Sequence, residues 1–172
     1  MKKLLIIIIG VLLTGGSVFA QSQAEISRDQ KGIKILKGII SRDDLEKDTT
    51  FAWYAENLKG YAPNTLAIEG LKKNKDSIQL IAFMGTWCED SHFVIPRLFS
   101  LLDQANFPKD RVTLIGTDRD KKTLSHLSEA MNVTNVPTII VMKKGKEMGR
   151  VIEYGHDGLF DKELGEIING VR

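Results

Sequence analysis

One stretch constrains this chain more than any other. An apolar run at residues 78–83 (Ile78, Leu80, Ile81, Phe83) breaks at Gly85-Thr86, and Trp87-Cys88-Glu89-Asp90-Ser91-His92 then opens a helix that carries Pro96. A buried strand that turns directly into a helix places Cys88 at the helix N-terminus. There the unpaired backbone N–H groups and the macrodipole favour a negative charge, and hence a thiolate. Cys88 is also the one cysteine in 172 residues. It is therefore either an inert core residue or a free thiol with a role, and its place at a strand-to-helix turn favours the second reading.

The length suits one domain with a sizeable core. Residues 1–20 read as a separate leader. Lys2 and Lys3 precede an apolar run over residues 4–13, and Val18-Phe19-Ala20 puts small residues where a signal peptidase reads them. The expectation is a cleaved signal peptide with a mature start near Gln21 and an exported product, periplasmic or secreted. An uncleaved anchor is the alternative, although the run is short for a span. Lys2 and Lys3 are the charged residues of that leader, so cleavage takes 24 basic residues to 22, equal to the 22 acidic ones. A neutral mature chain offers no basic surface for nucleic acid.

Beyond the leader, residues 21–31 are polar and read as a loose segment. Ile33, Ile35, Leu36, Ile39 and Ile40 fit either a strand or part of a helix. Ser41 reads as a helix N-cap with acids behind it. Phe51, Tyr54, Leu58 and Tyr61 recur at helical spacing beside Trp53, an aromatic group more simply read as core than as a ligand site. Asn64 is placed to cap a short helix through Ile68 and Leu71. Strands and helices then alternate. A helix buries Val94, Leu98, Leu101 and Leu102, a strand covers residues 111–117, and a helix is lined by Leu124, Leu127, Ala130 and Met131. The strand 138–142 turns through Lys144-Gly145, and Phe160, Leu164, Ile167 and Ile168 mark a terminal amphipathic helix. The pattern predicts an α/β fold with a central mixed sheet flanked by helices.

Three features in order resemble the thioredoxin superfamily: Trp87-Cys88 after an apolar strand, Pro96 eight residues beyond the cysteine, and Val136-Pro137-Thr138 opening a later strand. The resemblance covers residues 64–172 as a thioredoxin-like domain, leaving 21–63 as an N-terminal helical extension that caps one sheet edge. It implies a cis peptide bond at Pro137, facing Cys88, with the backbone of Val136 pairing with an extended substrate. More narrowly, the motif is similar to that of exported bacterial thioredoxin-family proteins with Trp-Cys-x-Asp-Ser or Trp-Cys-x-Asp-Thr. Two departures stand out. Ser91 occupies the place of the resolving cysteine, and Ala82 that of the buried acid found in many thioredoxins.

Thiol–disulfide exchange needs a thiolate, access and a route out of the mixed disulfide. Cys88 is the candidate nucleophile, with Trp87 as its shield, an Ser91 hydroxyl able to donate to it, and His92, four residues on, able to support it as imidazolium. Glu89 and Asp90 oppose the thiolate. Asp118 follows a strand end but needs no more than a turn role, and His126 and His156 read as solvent-facing. The histidines have no ligand-like spacing, so no metal site is expected, and no cofactor is expected either. The reading is a single-thiol exchange protein acting on protein or low-molecular-weight thiol and disulfide substrates, with membrane contact only through an uncleaved leader. A non-catalytic module that binds extended polypeptide segments is the alternative. Peroxide chemistry is disfavoured, because peroxidases of this fold carry Thr where Gly85 stands.

Overall fold

Residues 24–171 are described by a computed structural model; the leader and the mature start near Gln21 lie outside the described residues. The strands are β1 (Ala24–Arg28), β2 (Lys34–Ile40), β3 (Ile78–Met84), β4 (Val112–Gly116), β5 (Thr138–Lys143) and β6 (Lys146–Ile152). They form a mixed sheet in the order β1-β2-β4-β3-β5-β6, in which only β3 and β4 run parallel. The helices are α1 (Arg42–Glu46), α2 (Trp53–Glu56), α3 (Thr65–Asn74), α4 (Glu89–Gln104), α5 (Leu127–Ala130) and α6 (Phe160–Ile168).

Alternation along β3 divides its side chains between two cores. Ile78, Leu80, Ala82 and Met84 pack on one face with Leu71 of α3, Val94 and Leu98 of α4, and Leu164 and Ile167 of α6. Phe83 and Ile81 turn to the other face, where Ile115, Val133, Val136 and Ile140 join them beside Leu127 and Met131. Cys88 and Trp87 pack at the rim of this second, smaller cluster. The capping signals hold. Ser41 and Asp44 make a reciprocal capping box on α1, and the Asn64 side chain accepts the Leu66 N–H at 2.9 Å to start α3. Positive φ at Lys144 and Gly145 closes the β5–β6 hairpin as its sequence suggests.

The first forty described residues differ most from expectation. The extension is helical only in its second half. Its first half is the β1–β2 hairpin, and β2 joins β4 at one edge of the sheet. The polar residues 24–28 are an edge strand, not a loose segment. Their side chains are largely exposed, so no apolar stripe marks them, and the backbone ladder to β2 defines them instead. The spacing of Phe51, Tyr54, Leu58 and Tyr61 does not mark one helix: a 3-10 turn at Thr49–Phe51 and the single turn of α2 serve the aromatic residues separately. The helix expected through Leu124 and Met131 is likewise cut to α5, because Ser125 and His126 both take left-handed backbone angles.

Candidate functional site

The site is assembled where β3 ends. Cys88 is the N-cap of α4: its carbonyl accepts the first helical bond from His92 N–H at 3.0 Å, and its own N–H donates to Gly85 O at 3.0 Å. The sulfur is half-buried and donates to the Val136 carbonyl oxygen at 3.2 Å. The Val136–Pro137 bond is cis, as the resemblance implied, and the Cys88–Val136 hydrogen bond sets this loop against the thiol. Cys88, Val136 and Pro137 therefore do come together, across 48 residues of sequence.

The remaining residues of the motif take other roles. Ser91 is fully buried, and its Oγ accepts the Gly85 N–H at 3.1 Å, tying α4 to the end of β3. It thus holds backbone where a hydrogen bond to Cys88 was expected. His92 is also redirected. Its ring stacks on Trp53 at 4.2 Å between centroids, and Nε2 lies 2.9 Å from Thr86 O. Burial pulls its pKa below the ordinary histidine value despite that hydrogen bond and the nearby Glu89, so the ring is neutral near pH 7. A cationic His92 supporting the thiolate is not what this packing favours. Trp87 is the shield expected of it. Its Nε1–H donates to Thr117 O at 3.0 Å, and the Arg119 guanidinium covers the ring at 5.3 Å.

Gly85 is required by that indole. A Cβ there would come within 2.6 Å of Trp87 Cε2, so the turn admits only glycine while the tryptophan stays in place. Asp118 is a turn residue. Its Oδ1 accepts the N–H groups of Asp120 and Lys122 at 3.0 and 2.9 Å, and Oδ2 takes Lys37 at 2.8 Å. Burial pushes its carboxyl up, but Lys37 and these N–H donors hold it below the usual carboxylate range. Among the described residues, no group of three metal-ligating side chains lies together.

Residues 68–162 match the family model described as Thioredoxin. The chain belongs to the thioredoxin family. It is similar to the Thioredoxin of Chlamydia pneumoniae, 33% identical over 91 residues, covering 52% of this chain and 78% of that protein. It is 28% identical over 90 residues to Thioredoxin H2 of Arabidopsis thaliana, covering 52% of this chain and 63% of that one, so it spans less than two thirds of that relative's length. Among solved structures it is similar to Fasciola hepatica thioredoxin, with 21% identity and a TM-score of 0.41 over 60% of this chain and 89% of that one.

The contacts that sequence reasoning missed join residues within the matched stretch of this thioredoxin-family chain to one another and to the segment before it. Thr86 Oγ1 accepts Leu36 N–H at 3.2 Å and donates to Lys34 O at 2.9 Å, bonding the Cys88 loop to β2. Asp29 holds Arg119 in an ion pair at 2.5 Å, and Arg119 in turn covers Trp87. Trp53 backs His92. The hairpin and α2 thus form one wall of the site. Tyr154 is a further missed residue: burial, then the Asp90 carboxylate beside it, push its hydroxyl up to about 12. No short-range pattern announces these pairings, because each joins residues tens of positions apart.

Proposed function

We propose that the protein exchanges thiols and disulfides through Cys88 alone, acting on protein or low-molecular-weight substrates in an exported, periplasmic or secreted setting. The observation that carries this reading is the half-buried sulfur 3.2 Å from the Val136 carbonyl, beside the cis-proline loop, in a chain with a single cysteine. The Cys88 thiolate attacks one sulfur of a substrate disulfide, forming a mixed disulfide and expelling the other sulfur as thiolate. With Ser91 in place of a second thiol, no group of the chain can release that intermediate. An outside thiolate, or a second cysteine of the substrate, attacks the substrate sulfur and restores the Cys88 thiolate. Val136 and Pro137 supply the surface against which an extended substrate lies, and Trp87 limits approach from the other side. The apolar leader is the support for export.

The test is mass spectrometry of the protein after reaction with a small aromatic disulfide. The expected result is a one-to-one mixed disulfide that persists until a thiol is added, then turns over, and is absent in Cys88→Ser. A protein that forms no adduct but still binds unfolded polypeptide equally well as Cys88→Ser is a binding module, and the exchange reading is then wrong.

A further inference from the structure

An open cleft of about 430 Å³ lies between the 60–64 segment, the middle of α4 and the start of α6, in the size range of small-ligand pockets. Thiol chemistry does not use it: Arg97, in its wall, is nine residues along α4 from Cys88, about 13 Å at the helical rise per residue. The Arg97 guanidinium lies against the Phe93 ring at 3.2 Å from the centroid and beside Tyr61 at 5.6 Å, and its Nε donates to Asn57 O at 3.0 Å. Among the described residues, Nη1 and Nη2 make no hydrogen bond and no carboxylate stands within ion-pair distance.

Among the described residues, two other arginines lie over aromatic rings, and each holds an acid. Arg42 over Phe99 pairs with Asp103 at 2.7 Å, and Arg119 over Trp87 pairs with Asp29. Arg97 has the aromatic support without the acid. Asp161 acts on it only at longer range, because its own oxygens are taken by Tyr61 OH, Asn64 N–H and Lys162 N–H, each at 2.9 Å. Phe93 and Tyr61 hold the guanidinium at the cleft wall, and its Nη donors are left for a charge-assisted contact with an acid. Leu159, 54% exposed, and Phe160 supply an apolar wall.

We propose that this cleft is a carboxylate-binding site, in which Arg97 receives a monocarboxylate whose apolar body lies against Tyr61, Leu159 and Phe160. A single guanidinium close to the Asp161 charge suits a monoanion and not a phosphate dianion. The same chemistry is carried by a free small acid or by the last residue of a polypeptide.

Amide chemical shifts of the full chain test this during titration with 3-phenylpropanoate, 3-phenylpropanamide, and acetyl-Ala-Ala-Phe as free acid and as amide. Saturable shifts at Gly60, Asn64 and Gly158 are expected with the acids and not with the amides. Arg97→Gln is expected to weaken the acids about tenfold or more, the loss of a charge-assisted bond. Leu159→Glu, on the exposed rim, weakens them by repulsion without touching the packing beneath. Tighter binding of the small acid assigns the source to a free metabolite, and tighter binding of the peptide acid to a chain terminus; both support the site. Equal binding of acid and amide, shifts confined to other regions, or undiminished affinity in folded Arg97→Gln overturns it. Should Arg97→Gln not fold, undiminished affinity in Leu159→Glu overturns it alone.

Discussion

Thr86→Val tests whether the Cys88 loop is anchored by the N-terminal hairpin. The substitution keeps the shape of the side chain and removes the one oxygen that serves both Leu36 N–H, at 3.2 Å, and Lys34 O, at 2.9 Å. Ladder pairing of β2 with β4 is confined to residues 38–40 of β2, so Thr86 stands in for a strand neighbour beyond the end of that ladder. The Leu36 N–H is buried, and leaving it without an acceptor costs about 1–3 kcal/mol. The Lys34 carbonyl is only partly buried and recovers some solvation, so its loss is closer to 1 kcal/mol. Together the expected destabilisation is about 2–4 kcal/mol, a large share of a typical domain's stability. Urea unfolding followed by far-UV circular dichroism measures it, as a lower midpoint at unchanged slope. Thr86→Ser keeps the hydroxyl and loses one methyl, so it should cost about 1 kcal/mol. If Thr86→Val unfolds within about 0.5 kcal/mol of the parent, or Thr86→Ser is as damaging as Thr86→Val, the hydroxyl is not the anchor and the reasoning fails.

Two further predictions concern the same loop. Gly85→Ala places a Cβ within 2.6 Å of Trp87 Cε2 and 2.8 Å of Nε1, so the indole must leave Thr117 O. The expected cost is about 1–3 kcal/mol, with a changed Trp87 emission read in a Trp53→Phe background; unchanged emission and stability would mean that the turn has slack. His92 gives a pH dependence. Its folded pKa lies below the unfolded value of about 6.5, chiefly through burial, so the unfolded chain takes up the proton first as pH falls. Its contribution to stability is complete above the unfolded pKa and is lost as pH drops through the folded one. The urea midpoint should decline between neutral pH and the onset of carboxylate titration, and His92→Gln should flatten that decline; an equal slope in both would assign it to other groups.

How much of this was legible in the sequence depended on how local the decisive interactions are. The β3 alternation, the Cys88 cap position, the Ser41 and Asn64 caps and the Lys144-Gly145 turn are all set within a few residues, and each is present. Helical spacing rightly placed His92 one turn from Cys88, but that could not reveal that Trp53, 39 positions earlier, would claim the ring. Ser91 fails for the opposite reason. Its partner, the Gly85 N–H, is close in sequence, yet fully burying the hydroxyl turns it into a backbone tie, a choice that spacing cannot anticipate. The strand β1 carries no buried stripe because it is an edge strand whose existence depends on its partner.

The same distinction bears on why the extension matters. A conventional reading assigns the chemistry to the matched stretch and treats what precedes it as an appendage. Here Asp29, Lys34, Leu36, Lys37 and Trp53 hold in turn Arg119, Thr86, Asp118 and His92, which are the residues that frame Trp87 and Cys88. The loop that presents the thiol therefore has its geometry fixed from two directions, by β3 and α4 on one side and by the hairpin and α2 on the other. A chain shortened to begin at residue 64 would lose that second wall and with it the buried side chains of Leu36, Ile40, Leu45, Phe51 and Tyr54, which belong to the main core. Such a chain is expected to unfold at a markedly lower urea midpoint, because large buried side chains leave the core and not merely a contact of the loop; an unchanged midpoint would make the extension an appendage after all.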